Sequence, residues 1–231
     1  MHSEQILKQL RSLANPKNVA GMARYGINTE NTYGVPIYIL RPMAREIGAD
    51  HTLAQELWSS GIREARILAS MIDDPRKVAE EQIERWAMDF DSWDVCDQVC
   101  SNLFDKTDLA YHKASEWSHR DEEFVKRGAF ALMAALAAHD KQALDEAFEA
   151  FLPLIREQAA DGRNYVRKAV NWALRNIGKR NVNLNGVAIA TAKELGKTDS
   201  KSARWVAADA LRDLTSGKVQ KRLGSRPGRP R

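Results

Sequence analysis

Apolar residues recur along most of the chain at intervals of three and four positions, and strand-like alternation is nowhere sustained. That period stacks them on one face of an α-helix, so the pattern predicts helices with short connections and an all-α fold. The predicted helical segments are 2–14, 37–47, 53–59, 62–72, 75–87, 92–104, 109–117, 122–138, 141–159, 165–179, 182–195 and 202–214. Asn15-Pro16 breaks the first from a short segment ending at Met22, and Pro42 is able to shift the start of the second. Residues 24–36, RYGINTENTYGVP, are rich in Gly, Asn and Thr and read as a surface loop carrying Tyr25 and Tyr33.

Residues 164–180, NYVRKAVNWALRNIGKR, have two unlike faces. Val166, Val170, Ala173, Leu174 and Ile177 form one apolar stripe, while Lys168, Trp172, Arg175 and Lys179 line the opposite side. A tryptophan among outward cations is costly unless something covers it, and a polyanion with sugar faces, such as nucleic acid, suits that surface.

Several helices share this register. Ala129, Leu132, Met133 and Leu136 match Val170, Ala173, Leu174 and Ile177, and Ala210-Leu211 match Ala173-Leu174. Lys126, Arg167 and Arg204 then lie at intervals of 41 and 37 residues, near the period of HEAT-type helical pairs. Such pairs stack into an α-α superhelix with one concave layer, toward which Arg127 and Lys168 are expected to point from equivalent, outward-facing positions. Residues 1–215 are read as one repeat domain, and 216–231 as a basic tail. From Lys218 the tail reads KVQKRLGSRPGRPR, a composition expected to be disordered; its RPGRPR end is weakly similar to an AT-hook, and a merely solubilising basic tail fits it as well.

Charge adds an asymmetry. From residue 161 onward the chain has 17 Lys and Arg against 5 Asp and Glu, whereas residues 1–160 have 18 against 26. The basic last third favours a polyanionic partner. No run approaches the length of a membrane span and no secretory signal is evident at the start, so a cytoplasmic location is expected. Cys96 and Cys100, four apart, fit two buried thiols better than a disulfide framework. The five histidines lack metal-site spacing, and neither a Walker loop nor GxGxxG occurs, so no metal and no nucleotide cofactor are expected.

A second feature lies in DSWDVCD, residues 91–97, where Asp91 or Ser92 is suited to cap a helix. Trp93 and Asp97 fall at i and i+4, at the margin of a stripe made by Cys96, Val99 and Leu103. A ring and a carboxylate so placed are able to touch one ligand, although a packed ring beside a solvated acid gives the same spacing.

Taken together, SWDVCD, FVKRGA, YVRKAVNWALR and the early MARYG resemble the AlkD family of DNA alkylation-repair glycosylases, over about residues 22–214. The resemblance implies a HEAT-like fold and excision of cationic alkylated bases, of the 3-methyladenine and 7-methylguanine class, from duplex DNA. By the same resemblance Asp97 is the catalytic carboxylate, Trp93 and Trp172 are the two active-site tryptophans, and Arg127 is the site arginine. Tyr25 matches the tyrosine of the MARY segment, and Arg175 a basic residue facing the DNA backbone; Lys168 and Lys179 share its stripe. Phe124, Asn171 and Ser92 depart from the family pattern and bear on substrate range.

The residue types suit that chemistry. Breaking an N-glycosidic bond develops positive charge on deoxyribose, which an ionised Asp97 stabilises and electron-rich indole faces flank. A base that already carries positive charge leaves without a general acid, and the resemblance implies attack without flipping the base into a pocket. The expected partner is duplex DNA with alkylated bases, with no membrane, no required protein partner and the chain acting as a monomer. A non-catalytic binder of damaged or branched DNA and a protein-interaction scaffold are the alternatives the same fold supports.

Overall fold

The computed structural model describes residues 2–224. Among these residues the chain is all-α, with fifteen α-helices, two short 3₁₀ turns and no strand. No helix among them is long and apolar enough to cross a membrane. The chain divides into two compact units, one ending at Leu109 and the other beginning at Ala110.

The first unit holds α1 (Ser3–Ser12), α2 (Pro16–Ala23), α3 (Ile37–Ile47), α4 (His51–Ser59), α5 (Arg63–Ile72), α6 (Glu80–Met88) and α7 (Trp93–Asn102). Helix α5 packs against α4 on one side and lies between α3 and α7 on the other, so α3, α5 and α7 form one layer. The outer helices are joined by a ring stack, Trp58 of α4 on Trp86 of α6, with centroids 4.0 Å apart and planes within 3°. The Trp58 indole N–H finds its partner in Asp89 at 2.7 Å, satisfying the one polar atom of a buried ring.

The second unit holds α8 (Ala110–Trp117), α9 (Glu123–His139), α10 (Asp145–Glu149), α11 (Leu152–Gln158), α12 (Asn164–Ile177), α13 (Val182–Leu195), α14 (Lys201–Leu214) and α15 (Gly217–Gly224). Helices α9, α12 and α14 stack in one layer, with α8, α11 and α13 packed against them as outer partners. Every residue of α9 from Val125 to Ala137 is buried, as a helix covered on several sides requires. The starts of α9, α12 and α14, at Glu123, Asn164 and Lys201, lie 41 and 37 residues apart. The repeat register read from the sequence is therefore the register of a HEAT-like helical layer. Val166, Val170, Ala173, Leu174 and Ile177 are all fully buried on α12, as their stripe predicts.

Three expectations are corrected. The segment 75–87 is not one helix: Pro75–Lys77 is a 3₁₀ turn, Val78 is extended, and α6 begins at Glu80. The segment 141–159 divides into α10 and α11, the second opening with Pro153 in its first turn, where a missing N–H costs nothing. The basic tail is not disordered from Lys218, because α15 continues to Gly224. Val219 and Leu223, four apart, are buried, and Gln220 Nε2 donates to the Leu214 carbonyl at 2.6 Å and to Asn185 Oδ1 at 3.1 Å. The RPGRPR sequence lies outside the described residues. Pro42 sits inside α3 without moving its start from Ile37, and Cys96 and Cys100 are buried and not joined in a disulfide.

Gly178 marks a close approach in the second unit. Its φ of −66° is open to any residue, yet an added Cβ would lie 2.9 Å from Ala188 Cβ and 2.8 Å from Leu214 Cδ2. The constraint is steric, and Gly178→Ala is expected to cost about 1–3 kcal/mol by overpacking. That corresponds to a fall of roughly 2–10 °C in Tm for a chain of this size. Thermal unfolding followed by circular dichroism checks it, and an unchanged Tm would show that α13 and α14 give way freely.

Candidate functional site

In the first unit the site is built on a cluster of buried charge. Glu64, on α5, is fully buried, and its two carboxylate oxygens accept the backbone N–H groups of Tyr33 (3.0 Å), Gly34 (2.8 Å) and Val35 (3.2 Å). Arg63 beside it donates from Nη1 to Glu64 at 3.1 Å and from Nε to Asp94 on α7 at 2.6 Å. Asp94 accepts the Ser92 hydroxyl at 2.7 Å, and the Asn28 backbone N–H donates to that hydroxyl at 3.3 Å. The Arg63 backbone N–H is bonded to the carbonyl of Asn31, whose φ of 50° suits Asn better than most side chains. Gly34 has φ +76°, and a Cβ there would meet the Asn15 carbonyl at 2.5 Å.

These bonds hold the polar segment between α2 and α3 against the N-termini of α5 and α7. Unpaired burial of such charges costs several kcal/mol, so each ion is kept only because its partners stay in place. The consequence is that the surface loop expected from composition is pinned at several points along its length. Tyr25, 74% exposed, ends up beside α7, its carbonyl accepting the Trp93 indole N–H at 3.0 Å.

Helix α7 begins at Trp93, with Ser92 as its N-cap residue, although the Ser92 hydroxyl serves Asp94 and not the helix amides. Cys96, Val99, Cys100 and Leu103 are fully buried, which leaves Trp93 and Asp97 half-buried at the margin of that stripe. Burial pushes the Cys100 thiol well above its ordinary value, so it is a poor nucleophile. The first unit therefore brings together Tyr25, Trp93 and Asp97, as one exposed phenol, one fixed indole and one half-exposed carboxylate. Sequence reasoning missed Arg63, Glu64 and Asp94, which position them. The available signal was a carboxylate on the apolar face of α5, four before Leu68 and eight before Ile72.

In the second unit Arg127, Lys168 and Trp172 lie on neighbouring helices of one layer. Lys168 is exposed and makes no ion pair among the described residues, whereas Arg127 is only 6% exposed. Arg127 and Lys168 are equivalent in register, but the outward direction expected for both holds for Lys168 alone. The Arg127 guanidinium donates to the Tyr165 carbonyl at 2.7 Å, and the Phe124 and Tyr165 rings pack 5.5 Å apart one turn away. Trp172 is half-buried.

The remaining stripe cations are already paired. Arg175 Nε donates to Asp213 at 2.5 Å and Nη1 to Asp209 at 3.2 Å, and Lys179 is also bonded to Asp213. Asn171, before Trp172, donates to Asp209 at 2.6 Å. Burial raises the Asp213 carboxyl, but the Lys179 and Arg175 hydrogen bonds and charges outweigh it and hold it below the ordinary carboxylate value. These pairs lock α12 to α14 and leave Lys168 as the stripe cation most open to a phosphate.

Comparison with known proteins follows the same lines. The family model for the DNA alkylation repair enzyme matches residues 6–214. An uncharacterized protein of Listeria innocua is 27% identical over 198 residues, covering 84% of this chain and 86% of its own. A second, from Listeria monocytogenes, is 25% identical over the same shares. A solved structure described as a new family related to the HEAT-like repeat DNA glycosylases, with affinity for branched DNA structures, superposes with a TM-score of 0.78. It is 20% identical and covers 97% of each chain, which establishes the shared fold.

Glu64→Gln turns one acceptor oxygen into a donor facing backbone N–H groups. Hydrogen exchange at Tyr33, Gly34 and Val35 is expected to quicken at least about tenfold, equivalent to roughly 1.4 kcal/mol of local stability. Unchanged exchange would mean that the loop is held by other contacts. For Asp213 the sign follows from its depressed folded-state pKa: its stabilisation is present above the unfolded value of about 4 and is lost as pH falls through the lower folded value. Asp213→Asn is accordingly expected to flatten the loss of stability below about pH 4, read by urea unfolding across pH.

Proposed function

The chain belongs to the DNA alkylation repair enzyme family, and from that membership we propose that it hydrolyses the N-glycosidic bond of cationic alkylated bases in duplex DNA. The observation that carries the proposal is the α7 pair: a half-exposed Asp97 one turn from Trp93, whose indole is fixed through Tyr25. A glycosylase acting on a base that already carries positive charge needs no general acid. It needs a carboxylate within roughly 3 Å of the developing oxocarbenium ion or its attacking water, held where solvent does not screen it fully. In this reading the carboxylate of Asp97 takes that role, and the Trp93 ring offers a face to the cationic sugar.

The second unit supplies the contacts that hold DNA. Trp172 flanks a sugar, and Lys168 engages a phosphate. Arg127, oriented by the Tyr165 carbonyl, presents a charge whose position is set before DNA arrives. Arg175 and Lys179, neutralised by Asp209 and Asp213, serve mainly to hold the helix that carries Trp172. The protein acts in this reading as a monomer on alkylated duplex DNA, with no cofactor.

A second reading is a binder of branched DNA without excision. The observation favouring it is the structural relative described as having affinity for branched DNA structures. The α7 pair supports the enzyme reading over it, because binding alone does not require a carboxylate at the DNA surface, where it repels phosphate.

The two separate on one experiment. Methylated duplex is incubated with the protein and the released bases are resolved by chromatography. Release of 7-methylguanine or 3-methyladenine is expected, with Asp97→Asn slower by at least about 100-fold while duplex affinity is kept or slightly raised. Binding without release by the wild-type protein would leave the branched-DNA reading in its place.

A further inference from the structure

We propose that Trp205 and Arg167 form a stacking platform for an unpaired DNA base, which extends the binding surface of the second unit to its last repeat. The inference rests on the DNA-binding part of the reading above and is independent of base excision.

Trp205 is 38% exposed on α14, a helix whose outward positions are otherwise mostly polar or charged. The Arg167 guanidinium of α12 lies over its ring, 4.5 Å from the centroid. Arg167 Nε is buried and has no hydrogen-bond partner, as expected for a guanidinium laid flat on an indole. An arginine that could turn into water instead spends its planar group on an exposed ring, and the ring is thereby held in one orientation.

Position supplies the second argument. Arg127, Lys168 and Trp205 are each the fifth residue of their helices, and α9, α12 and α14 stack side by side in that order. Helices packed at roughly 8–10 Å put the three residues in one row across the layer. The row passes from an anchored cation to an exposed cation to a braced aromatic ring. An exposed cation followed by a braced aromatic face matches a strand whose backbone is held at a phosphate and whose next base has left the duplex. A continuous duplex keeps its bases stacked inside, so the ring has little to offer it. A fork, a flap or a junction presents an unpaired base.

Stacking and ion pairing separate by their salt dependence, because stacking releases no counterions. The test measures affinity by fluorescence anisotropy for a forked duplex with one single-stranded arm and for a blunt duplex of the same paired sequence, across a salt series. The wild-type protein is expected to prefer the fork by roughly 5- to 150-fold, the range of one stacked base. Trp205→Ala is expected to lose that preference with its salt slope unchanged, and Trp205→Phe to keep most of it. Release of alkylated bases from blunt duplex should be the same in all three proteins. An equal preference in Trp205→Ala, or no preference in the wild type, overturns the platform. Loss of preference with a shallower slope overturns it too, because the contact is then ionic. If Trp205→Ala fails to fold, quenching of tryptophan fluorescence by the fork is compared between wild type and Trp205→Phe, and equal quenching overturns the proposal. Absence of all DNA affinity would instead sink the broader reading.

Discussion

The candidate site depends on one buried arrangement of charge, Arg63 between Glu64 and Asp94. Glu64 is fully buried and Arg63 and Asp94 nearly so, an expensive placement that is stable only with every hydrogen bond made. The partners that make those bonds are mostly backbone amides and small polar groups. They are the backbone amides of 33–35, the Asn28 amide through Ser92, and the first turn of α7. The cost of leaving them unpaired is what forces a Gly- and Asn-rich segment into a single conformation. With the segment fixed, the Tyr25 carbonyl holds Trp93, and Trp93 and Asp97 share one flank of α7.

The second unit is held differently. The first helix of its layer, α9, is apolar nearly all round, and α12 and α14 follow it at intervals set by the repeat. Ion pairs then tie the outward faces of α12 and α14 together, with Arg175 and Lys179 converging on Asp209 and Asp213. The excess of positive charge in the last third of the chain is thus partly internal, and what remains open lies at Lys168, at Lys193 and Lys197 by the end of α13, and on α14 and α15. Lys168 and Trp205, at the same position of the adjacent helices α12 and α14, give that face a direction.

Much of this was legible in the residues. The helical period gave most element boundaries to within a few positions, because burial of an amphipathic face dominates in a stacked-helix fold. The stripes of α12 and α7 had the right core members, and the repeat intervals matched the helix starts. What escaped is tertiary in origin. Nothing local reveals that Arg175 and Lys179 meet carboxylates about 34–38 positions further on, or that Arg127 turns toward the Tyr165 carbonyl and away from solvent. Composition misjudged 217–224 because two apolar residues four apart are enough to seat a short helix on a prepared surface. It placed the loop at 24–36 correctly but not the groups that fix it, because those lie on α5 and α7.

Within this account Asp97 acts as a fixed negative charge that favours a cationic sugar over a neutral one. The most direct measurement is affinity for duplex DNA in which one deoxyribose is replaced by a pyrrolidine, protonated and cationic at the ring, against the same duplex with a neutral tetrahydrofuran ring. The wild-type protein is predicted to bind the cationic site at least about tenfold more tightly, a difference of roughly 1.4 kcal/mol, and Asp97→Asn to bind both alike. Equal affinity of the wild-type protein for the two sites, or a preference that survives in Asp97→Asn, would contradict it.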